Sequence, residues 1–339
     1  MKDNIDIDIV IMWVDGADKG WIKEKNKYLG MELGEADVDA SSKRYRDWGN
    51  LQYIFRGIEE YMPWVRKIHL VTNGQKPTWL NLSNDKLNWV KHEDYMPKEY
   101  LPTFSANPIE LNLHRIKDLA EQFIFFNDDM FVVSPMQKTD FFRKGLPCDQ
   151  ATLWRITNPD YDDPFWHIPF NDIGVINKHF SKWAVLRSNW HKLFSPRNGI
   201  MSPVLSTLFL PYNHLPGFLI NHIPQAYLKS TFSEVWDKNP NVLHSVSLNR
   251  FRSNSDVNQY LIRWWQLCTG NFAPSNLLKI TRNFSVFPEQ LEELEHSLKK
   301  RKYKLICIND AVVYDFETTK HSVNNMLHDL LPNKSGYEL

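Results

Sequence analysis

The clearest pattern in the chain is an apolar run of strand length that ends in acid. Residues 123–126 read Phe-Ile-Phe-Phe and are followed at once by Asn127, Asp128 and Asp129. A continuous apolar run of this kind is typical of a parallel strand that is buried on both faces. The carboxylate pair would then lie at the carboxyl end of a central strand.

Three other segments in the first half have a similar character. Strands are predicted for residues 5–14, 67–72 and 87–90, and helices for residues 19–34, 44–61 and 109–121. Strand and helix in alternation favour a doubly wound α/β unit with a mostly parallel sheet over residues 1–150. Such sheets bind ligands at the carboxyl ends of their strands, where this chain places Asp15-Gly16 and Asn73-Gly74-Gln75.

The regular alternation weakens after residue 150. Helices are predicted for residues 173–190, 232–237, 257–268, 289–302 and 319–331, and a strand for residues 303–309. We therefore expect a helical and aromatic half over residues 151–270 that completes the site. Residues 271–339 are predicted to form a C-terminal helical extension.

Composition and charge exclude several classes of protein. The 40 Lys and Arg residues balance the 40 Asp and Glu residues, so no overall basic field recruits nucleic acid. The 3 cysteines are far apart and form no CxxC pair, which fits a reducing compartment and argues against a zinc site. No signal peptide or membrane-spanning run is evident. We expect a cytoplasmic protein that is free to dock on a membrane surface.

Each candidate residue also has a structural interpretation. Asn127 and Asp128 are common turn formers, and a lone His222 before a proline is often a hydrogen-bonded structural residue. A metal ion, an arginine or a sugar hydroxyl would instead balance the buried carboxylates. The sequence contains no P-loop and no GxGxxG motif, so any phosphate must be bound by side chains or metal.

Four blocks of the sequence resemble a known family. They are residues 8–18, segments of 44–80, segments of 101–131, and a weaker set at 175–178, 222–224 and 252–256. On these residues the chain resembles the Stealth proteins. That family of hexose-1-phosphate transferases includes bacterial capsule and exopolysaccharide phosphotransferases and the catalytic core of the animal enzyme that tags lysosomal proteins. Residues 270–339 carry no part of the resemblance.

The resemblance implies both a fold and a reaction. The sheet would be of the GT-A nucleotide-sugar-transferase type, within a catalytic domain over residues 1–270. Sugar-1-phosphate would pass from a nucleotide diphospho-sugar, usually a uridine one, to an acceptor hydroxyl, with release of UMP. The bond that breaks lies inside the pyrophosphate, so positive groups and a base are both required.

The resemblance also assigns roles to residues. Asp128 and Asp129 would bind Mg²⁺ or Mn²⁺, Arg115 and Arg252 would clamp phosphate oxygens, and His222 would be the general base. Residues predicted to bind substrate are Asp15, Gly16, Arg44, Asp47, Asn73, Gly74, Gln75, Asn107, Glu110, His114 and Asp256, with Arg56 as a further arginine candidate. Helix capping and turn formation are the structural alternative for most of this set.

Two other functions stay open at the level of sequence. A conventional glycosyltransferase would use a similar fold and acid pair but release UDP, and a sugar-binding component of polysaccharide assembly would catalyse nothing. The partners expected for the enzyme are a nucleotide-sugar donor and a saccharide or lipid-linked oligosaccharide acceptor, with no nucleic acid. The sequence identifies neither the sugar, the acceptor nor the oligomeric state.

Overall fold

The computed structural model describes residues 5–32, 46–160, 162–310 and 315–339. The strands in this part are β1 (Ile7–Met12), β2 (Lys67–Thr72), β3 (Leu87–Lys91), β4 (Gln122–Phe126), β5 (Met130–Val132), β6 (Phe142–Arg143), β7 (Leu146–Asp149), β8 (Gln225–Leu228), β9 (Ala273–Pro274), β10 (Thr281–Ser285) and β11 (Leu305–Asn309). The helices are α1 (Lys19–Glu32), α2 (Leu51–Tyr61), α3 (His92–Tyr95), α4 (Ala106–Leu111), α5 (Lys138–Phe141), α6 (Ile168–His179), α7 (Lys182–Leu193), α8 (Ser202–Thr207), α9 (Lys229–Lys238), α10 (Pro240–Leu248), α11 (Gln259–Thr269), α12 (Pro288–Lys299) and α13 (Phe316–Leu330).

The main sheet has the strand order β3-β2-β1-β4-β8. Strands β3, β2, β1 and β4 pair in parallel, and β8 runs antiparallel to β4. The chain moves outward from β1 to β3 and then returns to the other side of β1 as β4. The carboxyl ends of β1 and β4 therefore flank the topological switch point, where such sheets bind ligands. The predicted α/β class with a mostly parallel sheet is confirmed.

Both faces of this sheet are covered by apolar packing. Ile9 and Ile124 belong to one buried cluster, which also contains residues of α2 and of the C-terminal segment. Val10 and Phe123 belong to the other, together with residues of α9, α10 and α11. Burial on both faces explains why these strands read as continuous apolar runs rather than as alternating ones.

The segment after residue 270 contributes strands as well as helices. β11 pairs with β10 in parallel and with β5 antiparallel, and β5 begins directly after the acid pair. The backbone N–H of Ile308 donates to the carbonyl of Asp129 at 2.9 Å. The C-terminal segment thus supports the loop that carries the carboxylates, while the domain boundary at residue 270 stays a prediction.

The predicted helix over residues 109–121 is wrong. α4 ends at Leu111, a 3₁₀ turn covers Leu113–Arg115, and Asp118 has a φ of 66°. The buried side-chain amide of Asn112 donates to the carbonyl of Pro108 at 2.8 Å and to Ser247 at 3.1 Å. Asn112 therefore ties the end of α4 to α10 instead of continuing the helix.

Two other predicted helices have different limits. The helix predicted for residues 44–61 begins only at Leu51, because Gly49 has a φ of 62° and its N–H donates to the Asp47 carboxylate at 3.0 Å. The helix predicted for residues 173–190 is two helices, α6 and α7. Phe180 between them has extended backbone angles. No helix in the described part of the chain is both long and apolar enough to cross a bilayer.

Gly57 is a point of close contact between α2 and β5. A Cβ atom at this position would lie 2.3 Å from the carbonyl oxygen of Val132. We expect Gly57→Ala to lower the free energy of unfolding by about 1–3 kcal/mol, because α2 must move off β5. The control is Gly174→Ala on α6, where nothing lies within 4 Å of the added Cβ. Its helix propensity should raise stability by up to about 1 kcal/mol. Urea unfolding midpoints measure both changes, and equal stability of the two variants would contradict the packing argument.

Candidate active site

A cavity of about 370 Å³ lies at the carboxyl ends of β1 and β4. It brings together five of the residues predicted from sequence, namely Asn73, Glu110, Asp128, Asp129 and Arg252. A cavity of about 220 Å³ adjoins it, since both are lined by Glu110, Asn127 and Arg252. His222 and Asn107 line this second cavity. The site therefore forms at the switch point of the sheet.

Asp129 joins the end of β4 to a histidine from a distant part of the chain. Its Oδ2 atom lies 2.8 Å from Nε2 of His222. Its Oδ1 atom is buried and has no hydrogen-bond partner in the described part of the chain. One carboxylate oxygen is thus engaged by imidazole, and the other is available to a cation or a polar ligand.

His222 is placed by β8, which begins three residues later at Gln225. Its carbonyl accepts a hydrogen bond from the Cys307 thiol at 3.2 Å, so the C-terminal segment holds its backbone. Burial disfavours a charged imidazole, yet the carboxylates of Asp129 and Asp128 outweigh burial and raise the pKa of His222. The ring is consequently held beside the acid pair in a strongly negative environment.

Two further carboxyl groups in the site have raised pKa values. Desolvation by the surrounding protein, the adjacent Asp129 and the nearby Asp47 raise the pKa of Asp128 to about 7, although Asp128 remains accessible from the cavity. Burial also raises the pKa of Glu110 to about 7, even though the N–H of Gln259 donates to its Oε2 atom at 3.3 Å. The site therefore holds more acid than its own cations can balance.

Asp256 fixes the loop that carries Arg252. Its carboxylate accepts hydrogen bonds from the amides of Asn107 at 2.7 Å and Asn249 at 2.6 Å, and from the N–H of Ser253 at 3.0 Å. Asp256 lines neither of the two cavities. The structure thus gives Asp256 and Asn107 a positioning role behind Arg252, in place of the substrate contact predicted for Asp256.

The loops after β1 and β2 are fastened to each other. The N–H of Asp15 donates to the side-chain oxygen of Gln75 at 2.8 Å, and the Gln75 amide donates back to the carbonyl of Asp15 at 2.9 Å. Gly74 has a φ of 108°, which allows the tight turn after β2. Asn73 lines the main cavity, whereas Asp15, Gly16, Gly74 and Gln75 do not line it.

Three predicted residues lie away from the cavities. His114 is half-buried against Phe232 and Trp236, and desolvation lowers its pKa to about 4. The Arg115 guanidinium lies 4.7 Å from the centre of the Trp236 ring. Both residues were expected on a continuous helix, and the turn at Asn112 takes them away from the site. Arg56 is also a structural residue, because it forms a bidentate ion pair with Glu338 at 2.7 and 2.8 Å.

Arg44 lies outside the described residues. Asp47, also predicted to bind substrate, accepts a hydrogen bond from the Trp13 indole at 3.4 Å and is close enough to Asp128 to affect its pKa.

An aromatic wall of the main cavity was not predicted as part of the site. Phe104 stacks on Phe251 with ring centroids 5.2 Å apart and meets the edge of Trp21 at 5.7 Å. Phe104 and Trp21 line the cavity, as does the buried His92, whose pKa burial lowers to about 4. Phe104 belongs to a block that resembles the Stealth proteins, so the resemblance could have identified it. Trp21 and His92 carry no comparable signal.

The acid pair fits a hard divalent cation. Magnesium is commonly held by one or two carboxylates together with water and substrate phosphates. Asp128 and the unpartnered Oδ1 atom of Asp129 supply such oxygen donors. No group of three or more His, Cys, Asp or Glu side chains in the described part is arranged to hold a metal ion. The remaining ligands would therefore be water and substrate.

Comparison with known proteins gives matches along the whole chain. The family model of Stealth protein CR2, conserved region 2, matches residues 44–148. A capsular polysaccharide phosphotransferase WcwK of Streptococcus pneumoniae is 38% identical over 339 residues, covering 100% of this chain and 99% of its own. The receptor polysaccharide phosphotransferase WefC of Streptococcus gordonii is 41% identical over 335 residues, covering 98% of this chain and 99% of its own. An exopolysaccharide phosphotransferase cps2G of Lactiplantibacillus plantarum is 34% identical over 337 residues, covering 98% of this chain and 96% of its own.

Among solved structures, the likeness is distant. A galactosyltransferase LgtC in complex with donor and acceptor sugar analogs superposes with a TM-score of 0.38 and 10% identity, covering 97% of this chain and 98% of that chain. The full-length relatives above are far more similar. With identities of 34–41% over nearly the whole chain, this protein belongs to the Stealth family.

Proposed function

We propose that this chain is a polysaccharide phosphotransferase of capsule or exopolysaccharide synthesis. It would transfer sugar-1-phosphate from a nucleotide diphospho-sugar, with a uridine donor as the first candidate, to a saccharide hydroxyl. The products would be a phosphodiester and UMP. Full-length relatives that bear the names of capsular and exopolysaccharide phosphotransferases support this assignment.

The observation that carries the proposal is the Asp129–His222 pair at the switch point. An imidazole 2.8 Å from a carboxylate, beside a second carboxylate and an arginine, provides a base, a cation-binding group and a phosphate-binding group in one place. Transfer of a phosphoryl group requires these three functions rather than a covalent intermediate.

The proton step is assigned to His222. A proton on Nε2 is donated to Oδ2 of Asp129, which leaves Nδ1 as the acceptor atom. Nδ1 would take the proton of the acceptor hydroxyl as its oxygen attacks. The Asp129 carboxylate stabilises the imidazolium that results and orients the ring.

The phosphorus that bears the sugar receives the new bond. The acceptor oxygen forms a P–O bond, and the P–O bond to the nucleoside monophosphate breaks with its electron pair going to the leaving phosphate. Arg252 lines both cavities, and its guanidinium matches the oxygens of a phosphate. The aromatic wall around Phe104 is positioned to exclude water from the reacting group.

Asp128 and Asp129 are proposed to hold Mg²⁺ or Mn²⁺. When bound, the ion would neutralise charge on the pyrophosphate and on the carboxylates themselves. Asp128 and Glu110, whose pKa values are raised to about 7, line the same cavity, and a bound cation would favour the charged form of both. A cation and the Arg252 guanidinium would together compensate this concentration of acid.

The proposed location is the cytoplasm. The 3 cysteines are free and buried, as is usual in a reducing compartment. The partners proposed are a nucleotide-sugar donor and a saccharide acceptor, whether free or lipid-linked.

The identity of the released nucleotide tests the proposed function. The protein is incubated with Mg²⁺, a panel of uridine diphospho-sugars and a saccharide acceptor, and the products are followed by phosphorus NMR. We expect UMP and a new phosphodiester signal, because the bond inside the pyrophosphate is the one that breaks. Release of UDP would make the protein a conventional glycosyltransferase.

Variants of the base complete this test. His222→Gln should reduce UMP formation by about 10²-fold or more, since the general base is lost. His296→Gln replaces an exposed histidine of α12 and should have wild-type activity. Full activity of His222→Gln would contradict the assigned role, and binding of the donor without turnover by the wild-type protein would favour the sugar-binding alternative.

Arg252 and Arg115 form a matched pair of variants. Arg252→Gln should lower kcat/KM by about 10²-fold, because a charge-assisted contact to the reacting phosphate is lost. Arg115→Gln should remain within about threefold of the wild type, since Arg115 stacks on Trp236 away from the cavities. Steady-state kinetics with the donor varied measure both. Equal losses in the two variants would show that the cavity is not the phosphate site.

Removal of divalent cations tests the acid pair. Treatment with EDTA should abolish turnover, and Mg²⁺ or Mn²⁺ should restore it. Titration calorimetry of Mn²⁺ with UDP present should show affinity reduced by tenfold or more in Asp128→Asn and Asp129→Asn, because each loses a carboxylate ligand. The control is Asp85→Asn, which changes an exposed carboxylate outside the cavities. Unchanged Mn²⁺ affinity in both site variants would rule out the proposed ligands.

A further inference from the structure

One stretch of the surface holds half of the large apolar side chains that are exposed. Of 14 such side chains in the described part of the chain, 7 lie between residues 183 and 212. They are Trp183, Trp190, Ile200, Met201, Val204, Leu208 and Tyr212, and we call them the apolar patch. Ile200 is 80% exposed and Leu208 63% exposed. Single exposed apolar residues are common, but a concentration of this kind indicates an interaction surface.

The two segments that carry the patch lie side by side. The Lys182 ammonium, at the start of α7, donates to the carbonyls of Phe209 and Leu210 at 3.3 and 2.6 Å. At the other end of α7, the Asn198 amide donates to the carbonyls of Lys192 and Leu193 at 2.8 and 3.1 Å. The segment from residue 198 to residue 210 therefore runs antiparallel along α7.

The segment that carries the patch has charges of one sign. No Asp or Glu occurs between Asp172 and Glu234, in a chain that otherwise has equal numbers of acidic and basic residues. Lys178, Arg187 and Arg197 lie in this interval and are exposed. Arg187 and Arg197 form no ion pair with any described residue. Their positive charges are therefore available to a partner that binds at the patch.

The patch is rigidly attached to the rest of the protein. The Asn189 amide of α7 donates to the carbonyl of Cys268 at 2.9 Å, and the Lys192 ammonium donates to the carbonyls of Gly270 and Phe272 at 2.6 and 2.9 Å. These residues end α11, the helix that begins beside the active site. A contact at the patch would consequently orient the whole catalytic body.

We propose that the apolar patch docks this protein on the surface of an anionic lipid bilayer. Exposed tryptophan, tyrosine and aliphatic side chains, on a segment with basic residues and no acid, match the boundary between headgroups and acyl chains. Basic residues near such a surface each strengthen binding by about fivefold, and salt weakens their effect. The inference does not depend on which sugar or nucleotide the enzyme uses.

Vesicle sedimentation tests the proposal with the full-length protein. We expect binding to vesicles of phosphatidylglycerol and phosphatidylcholine, weaker binding at high salt, and at least tenfold weaker binding to pure phosphatidylcholine. The patch variant is Met201→Ser/Val204→Ser/Leu208→Ser, and it should bind anionic vesicles at least tenfold more weakly than the wild type. These side chains are exposed, so the fold should persist, which near-ultraviolet circular dichroism checks.

Matched variants separate the patch from general surface effects. Leu82→Ser/Leu278→Ser/Phe287→Ser removes three exposed apolar residues outside the patch and should bind vesicles as the wild type does.

A second variant and its control test the contribution of positive charge in the same way. Arg187→Gln/Arg197→Gln should weaken binding to anionic vesicles by roughly tenfold or more. Lys299→Gln/Lys300→Gln, with the same change in net charge at the C-terminal end of α12, should not.

Three outcomes would overturn the proposal. The first is an absence of binding to anionic vesicles at low salt. The second is an equal loss of binding in the patch variant and its control. The third is a wild-type dimer that the patch variant converts to monomer without any vesicle binding, since the patch would then be an interface between copies of the chain.

Discussion

The site depends on one constraint, which is the desolvation of carboxylates at the carboxyl ends of apolar strands. Asp128 and Asp129 follow β4 after one intervening residue, β4 is buried on both faces, and the buried Glu110 lines the same cavity. His222 and Arg252 offset part of this negative charge. Desolvation nevertheless raises the pKa values of Asp128 and Glu110 to about 7, and a bound cation would offset this effect. A site of this kind is built to receive positive charge together with phosphate.

Distant parts of the chain hold this arrangement together. Strand β8 places His222 next to Asp129 from 93 residues away, and Asp256 binds Asn107 across 149 residues to position the loop of Arg252. The C-terminal segment adds the hydrogen bonds of Ile308 to the Asp129 carbonyl and of Cys307 to the His222 carbonyl. The base and the acid pair are therefore supported by β11, which lies far from both of them in sequence.

Local patterns of apolar residues in the sequence correctly predicted the buried strands. The strand over residues 67–72 has the predicted limits, and the acid pair lies at a sheet end as expected, because continuous apolar runs carry a strong local signal. The resemblance assigned Arg115 and His114 to the site, but the helix that was expected to carry them ends early at the buried Asn112. The antiparallel β8 and the role of Asp256 depend on contacts between remote segments. No local pattern contains that information.

The most direct measurement is a crystal structure of the protein with Mg²⁺ and a non-hydrolysable uridine diphospho-sugar analogue. We expect the pyrophosphate between the Asp128–Asp129 pair and Arg252, with the sugar-bearing phosphorus facing Nδ1 of His222. A donor that presents its anomeric carbon to His222, or that binds outside the cavity between β1 and β4, would contradict phosphoryl transfer at this site.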